Sequence, residues 1–136
     1  MAEALKRTNG ILTTIDYDLA LLKEARANFE KAGVSDRVKI IEGDITEVTK
    51  KLKNETFDIV IQDARKSLYP VMLEECLRLV RVGGVIIADD TLYSRKGTAE
   101  KLVSHLEKYN KLVFNDSRLY STIASVGQGL TISVKL

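Results

Sequence analysis

A chain of 136 residues with 45% apolar and 29% charged residues reads as one ordered globular domain, 1–136, and excludes a disordered or fibrous protein. A net charge of +2 with interleaved signs leaves no basic stripe for nucleic acid. A single cysteine excludes a disulfide framework or a cysteine-based zinc site, and no apolar run approaches the roughly 20 residues that span a bilayer, so no membrane partner and a cytoplasmic setting are expected.

The opening Ala2–Arg7 segment has good helix formers and stops at Asn9-Gly10, a C-cap signal. Ile11–Ile15 is a short β-branched run ending at Asp16. Asp18–Lys31 follows, with Leu19, Leu22, Ala25 and Phe29 at helical spacing and Gly33 as its stop. Val38–Glu42 reads as the next strand, and Gly43-Asp44 turns into a short helix ending near Leu52. Phe57–Ile61 is a third strand, closing on Gln62-Asp63.

Pro70 suits a first helical turn, where its missing N–H costs nothing, and Met72, Leu73, Cys76, Leu77 and Val80 then share one face, which places Cys76 in the core. Gly83-Gly84 should break that helix before a strand at Val85–Ala88 that closes on Asp89-Asp90. A helix is expected over 98–109, with His105 on its surface. Extended segments are expected at Leu112–Phe114 and Thr122–Val126, and the latter forms an antiparallel hairpin with Leu130–Leu136 across Gly127-Gln128-Gly129. Apolar strands alternating with helices imply an α/β fold whose mostly parallel sheet is covered on both faces, with the hairpin closing one edge.

Ligands of such sheets bind at the carboxyl ends of the strands. Asp16, Asp44, Asp63 and Asp89-Asp90 each follow an apolar run there. Asp16 is placed to accept ribose hydroxyls or to cap the helix that follows; Asp44 is placed to cap, with contact to a ligand base as a second role. Asp63, Asp89 and Asp90 offer hard oxygens suited to Mg²⁺ if their strands are neighbours, or are plain turn and cap residues. Lys66 is a general base if burial or nearby cations depress its pKa, and otherwise a solvated lysine.

The strings TTIDYD, KAGVSDRVKIIEGD, FDIVIQDARKSLYP, LEECLRLVRVGGVIIADDTLY and GQGLTISVK occur in the order and spacing of the S-adenosylmethionine-dependent, cation-dependent O-methyltransferases of the catechol and caffeoyl-CoA type, which the chain resembles over nearly its whole length. The resemblance implies a Rossmann-like methyltransferase fold and methyl transfer from S-adenosylmethionine to a hydroxyl of a small-molecule acceptor. It implies cofactor contacts at Asp16 and Tyr17, at Gly43, Asp44 and Ile45 beside the adenine, and at Asp63. It implies a divalent metal, Mg²⁺ or another, on Asp63, Asp89 and Asp90, the last standing where many members have asparagine. Lys66 falls where the family has a lysine that helps deprotonate the acceptor, and Tyr69 matches a recurring aromatic.

Members of that family carry, ahead of the stretch matching Ala2, a helical segment, a first strand central to the sheet and a glycine-rich turn for the methionine end of the cofactor. No such turn occurs in this chain, so the expectation is an N-terminally truncated domain with weakened cofactor binding. The strands flanking the gap are expected either to pair directly or to be completed in a homo-oligomer. An inactive family remnant, and a nucleotide- or metal-binding module of the same α/β class, are the alternatives to an active enzyme.

Overall fold

The computed structural model describes residues 1–93 and 100–136. The chain forms two compact units, Met1–Lys51 and Leu52–Leu136.

The first unit holds α1 (Ala2–Leu5), β1 (Leu12–Asp16), α2 (Leu19–Lys31), β2 (Val38–Glu42) and α3 (Ile45–Val48), the last continuing as a 3₁₀ turn over Thr49–Lys51. The opening helix ends at Leu5, earlier than the Asn9-Gly10 signal suggested, and a turn over residues 6–9 follows: Asn9 takes a left-handed φ of 56°, and the Gly10 N–H returns to the Leu5 carbonyl at 3.1 Å. Strands β1 and β2 pair in parallel, Leu12 opposite Val38 through Asp16 opposite Glu42. Asp18 caps α2, its Oδ1 accepting from the N–H groups of Ala20 at 2.9 Å and Leu21 at 3.2 Å. Leu22 is buried and Ala25 and Phe29 half-buried, whereas Leu19 is 61% exposed. The covered stripe therefore starts one turn later than the spacing suggested, because Leu19 lies at the first position of the helix.

The second unit is a four-stranded sheet in the order β3-β4-β6-β5, where β3 is Phe57–Gln62, β4 is Val80–Ala88, β5 is Leu119–Ala124 and β6 is Leu130–Lys135. β3 and β4 run parallel, and β6 is antiparallel to both β4 and β5. The helices are α4 (Tyr69–Leu79), preceded by a 3₁₀ turn over Lys66–Leu68, and α5 (Glu100–Asn115). Val80, Ile86 and Ala88 of β4, Thr131 and Ser133 of β6, and Tyr109 and Val113 of α5 have essentially no solvent contact, and Cys76 is buried on α4 as expected.

Three expectations change here. Gly83-Gly84 does not break the helix; α4 stops at Leu79 and the chain is extended from Val80 on. The pairing jumps from Phe57–Val80 to Ile59–Val85, so the glycines form a bulge in β4. Gly83 takes φ +73°, and a Cβ on Gly84 would come within 2.8 Å of the Asp58 carbonyl oxygen and 2.9 Å of that of Arg81. Second, Leu112–Phe114 is helical, not extended. Leu106, Tyr109 and Val113 are all buried at i, i+3 and i+7, and this face carries α5 through the short apolar run to Asn115. The expected helix start at Thr98 lies outside the described residues. Third, β5 begins at Leu119 and ends at Ala124, leaving Val126 exposed in the turn that leads to β6.

Among the described residues no helix is long and apolar enough to cross a membrane.

Candidate active site

In the first unit the expected cofactor residues gather at the carboxyl ends of β1 and β2. Asp16 closes β1, and its Oδ1 accepts from the Asp18 N–H at 2.9 Å. It is therefore not the cap of α2, a role Asp18 fills, and its other carboxylate oxygen carries no hydrogen bond among the described residues. The Asp16 carbonyl accepts from the Gly43 N–H at 2.9 Å, which ties the two strand ends together. Gly43 has φ +142°, and a Cβ there would meet the Val48 side chain at 2.7 Å, so only glycine lets the chain turn so closely into α3. Asp44 caps α3, its Oδ1 accepting from the Thr46 N–H at 2.8 Å and hydroxyl at 2.6 Å. Ile45 begins α3, and the Tyr17 ring is 64% exposed beside Asp16. An acid, an exposed aromatic face and a close-turning glycine at parallel strand ends can hold a ribose and a flat base.

In the second unit Asp63 follows β3, Asp89 and Asp90 follow β4, and the Asp89 N–H donates to the Gln62 carbonyl at 3.1 Å. Asp90 takes a left-handed φ of 57°, a conformation that aspartate tolerates better than most residues. Lys66 stands between these ends, its side chain 13% exposed. Its Nζ donates to the Tyr69 hydroxyl at 2.8 Å and to the Asp89 carbonyl at 3.1 Å, and faces Asp90 Oδ2 at 3.4 Å and Asp63 Oδ1 at 3.8 Å. It is neither a solvated lysine nor a depressed one. Burial works to lower its pKa, but the Tyr69 hydroxyl and the Asp90 carboxylate outweigh burial and hold it above its ordinary 10.5. Lys66 is a fixed cation in this arrangement.

No three acidic, histidine or cysteine side chains among the described residues form a ready cage for a metal. The chemistry of the donors nonetheless suits a hard divalent ion: two carboxylate oxygens and a carbonyl already surround one positive centre, the Lys66 ammonium. His105 sits half-buried on α5 and takes no part.

Sequence reasoning missed what holds these strand ends. The Thr91 N–H and the Leu92 N–H donate to the carbonyls of Gly129 and Gln128 at 3.0 and 2.8 Å. Behind them Thr131 Oγ1 lies 2.7 Å from Thr91 Oγ1 and 2.9 Å from Asn110 Oδ1, while Asn110 Nδ2 donates to the Thr91 carbonyl at 3.0 Å. A buried threonine in the middle of an apolar strand was the available signal, since buried hydroxyls find partners.

The O-methyltransferase family model matches residues 1–136. The chain belongs to the O-methyltransferase family. A Mycolicibacterium smegmatis protein named as an O-methyltransferase is 33% identical over 134 residues, covering 95% of this chain and 64% of the relative. The crystal structure of the Bacillus cereus O-methyltransferase in complex with SAH is 27% identical with a TM-score of 0.82, covering 93% of this chain and 63% of that one. SAH-bound Podospora anserina methyltransferase shares the fold at a TM-score of 0.87 and 24% identity, covering 98% and 64%. This O-methyltransferase family member thus has the Rossmann-like methyltransferase fold, and it spans less than two thirds of the length of these relatives.

Proposed function

We propose that the protein acts in S-adenosylmethionine-dependent methyl transfer to a hydroxyl oxygen of a small-molecule acceptor. The observation that carries this reading is the half-buried Lys66 ammonium held among the Asp63 and Asp90 carboxylates and the Asp89 carbonyl at adjacent parallel strand ends in an O-methyltransferase family chain. Asp16 would accept the cofactor's ribose hydroxyls, with Tyr17, Gly43, Asp44 and Ile45 around the adenine, and Asp63 would serve both cofactor and metal. The SAH complex of the Bacillus cereus relative supports this cofactor class.

Asp63, Asp89 and Asp90 would hold the divalent cation, Mg²⁺ being the hard ion that fits their oxygens. Such an ion, when bound, lowers the pKa of an acceptor hydroxyl and orients it. The chain's own contribution is charge and position. The fixed positive charge of Lys66 lowers the cost of losing the hydroxyl proton, and its tether keeps the oxygen in line with the methyl group. The hydroxyl proton passes to solvent water, since Lys66 is already protonated; as the oxygen–methyl bond then forms, the methyl–sulfur bond breaks and the cofactor leaves as its neutral thioether.

The test is calorimetry of S-adenosylmethionine binding, with and without Mg²⁺, on the wild type and on Asp16→Ala. Micromolar binding that disappears in the variant is the expected result. No binding at millimolar cofactor would sink the reading for this chain.

A second reading, a folded member that does not turn over alone, is favoured by one observation. Among the described residues β3 pairs with β4 alone, and Ile59 and Ile61 on it are exposed. An apolar parallel edge of this kind is ordinarily covered, and a homo-oligomer would cover it. A monodisperse monomer at micromolar concentration in light scattering would exclude that assembly.

A further inference from the structure

Tyr69 is placed by local geometry to do something that its burial alone does not require. Lys66 opens the 3₁₀ turn and Tyr69 follows it at i+3, the spacing at which 3₁₀ side chains eclipse, so both side chains rise on the same side. The Tyr69 side chain is 1% exposed, and its ring packs edge-on against Tyr109 with centroids 5.5 Å apart. That packing fixes the hydroxyl in space without help from the site.

The hydroxyl lies 2.7 Å from the Gln62 carbonyl oxygen, 3.1 Å from that of Asp89 and 2.8 Å from Lys66 Nζ. It has one hydrogen and two lone pairs. The lysine ammonium has hydrogens only, so the hydroxyl must accept from it and can donate to just one carbonyl, with Gln62 the shorter. The Asp89 carbonyl is served by Lys66 itself at 3.1 Å. Two of the three ammonium hydrogens are then committed to the tyrosine oxygen and the Asp89 carbonyl, and the third is aimed at the carboxylate side, where Asp90 Oδ2 stands 3.4 Å away.

We propose that Tyr69 is a positioning residue for Lys66: its hydroxyl, anchored on the Gln62 carbonyl, fixes the direction in which the ammonium presents its third hydrogen. Catalytic use of that hydrogen rests on the methyl-transfer reading above; the tether itself does not. Tyr69→Phe keeps the ring, its packing and the face 4.8 Å from the ammonium; it removes the hydroxyl that accepts from Lys66 and donates to the Gln62 carbonyl, which keeps the Asp89 N–H as a donor at 3.1 Å.

The test is the Nζ–H resonance of Lys66 in the 15N-labelled full chain, identified by its disappearance in Lys66→Met. The wild type should give a slowly exchanging ammonium signal, and Tyr69→Phe should speed its exchange at least about tenfold, as expected for loss of a hydrogen bond to a charged group. Tyr69→Phe should keep the wild-type circular dichroism and backbone amide spectrum. In turnover with S-adenosylmethionine and a catechol probe, kcat should fall about tenfold with KM for the acceptor held within about twofold. An unchanged Lys66 exchange rate in the folded variant overturns the tether. A lost resonance with no methyl transfer by the wild type supports the tether and removes the methyl-transfer reading instead.

Discussion

Tyr109→Phe should make this protein more stable. The Tyr109 side chain has no solvent contact, and its hydroxyl oxygen has no hydrogen-bond partner among the described residues. Burial, with the nearby Cys76 and Tyr69 adding to it, pushes the phenol's pKa well above its ordinary 10.0, which reports the same dry surroundings. A buried hydroxyl left unpaired costs about 1–3 kcal/mol, whereas a hydrogen-bonded one contributes about 1 kcal/mol. Because no partner would be orphaned by deleting this oxygen, the transfer term alone remains. The ring keeps its edge contact with Tyr69. The expected gain is about 1–2 kcal/mol, which for a chain of this length raises Tm by about 3–8 °C. Urea unfolding should show a higher midpoint at an unchanged slope, since the surface exposed on unfolding is nearly the same. A variant less stable than the wild type by about 0.5 kcal/mol or more would refute the reasoning, because it would mean that the hydroxyl has a partner, such as a bound water.

Gly84→Ala should destabilise the second unit by about 2 kcal/mol or more, since the new Cβ meets two backbone oxygens that cannot move without opening the β3–β4 pairing; thermal melts would check it. Burial pushes the Cys76 thiol up to about 11 from 9.0, against a smaller opposing effect of the Gln62 amide, so the folded chain holds a proton that the unfolded chain has lost. Stability is accordingly full below pH 9 and falls as pH rises towards 11, and Cys76→Ala should flatten that stretch of the denaturation profile. Lys66→Met removes the cation that Asp63 and Asp90 face, so tyrosine-sensitised terbium luminescence should report affinity at the proposed cation site raised about three- to thirtyfold; the partial exposure of both carboxylates keeps the gain small, and equal affinity would show that the ammonium does not compete.

The residues that periodicity and turn chemistry mark were legible in the sequence. The succession of strands and helices along the chain, parallel pairing in general, the closing hairpin and the polar strand ends follow from short β-branched runs punctuated by Gly and Asp; which strands are neighbours does not. What was not legible depended on contacts between distant segments. Gly83-Gly84 reads as a helix breaker until the register jump between Phe57 and Ile59 shows which backbone it must pass. Leu112-Val113-Phe114 has strand composition, and only the packing of Leu106, Tyr109 and Val113 on the sheet makes it helix. The charge state of Lys66 was open for the same reason: its setting depends on Tyr69 and Asp90, and the Asp90 partner is 24 positions away along the chain.

The clamp formed by Thr91, Thr131 and Asn110 makes the acidic strand end answerable to the far side of the sheet. Asn110 belongs to a helix and touches no carboxylate of the site, yet it holds the carbonyl of the residue next to Asp90. Amides of the Thr91–Leu92 turn should therefore exchange with solvent as slowly as those of β6, unlike an ordinary surface turn. Changes on α5 would reach Asp90 through two hydrogen bonds, so substitutions at Asn110 and Asp90 should fail to add in a double-mutant cycle.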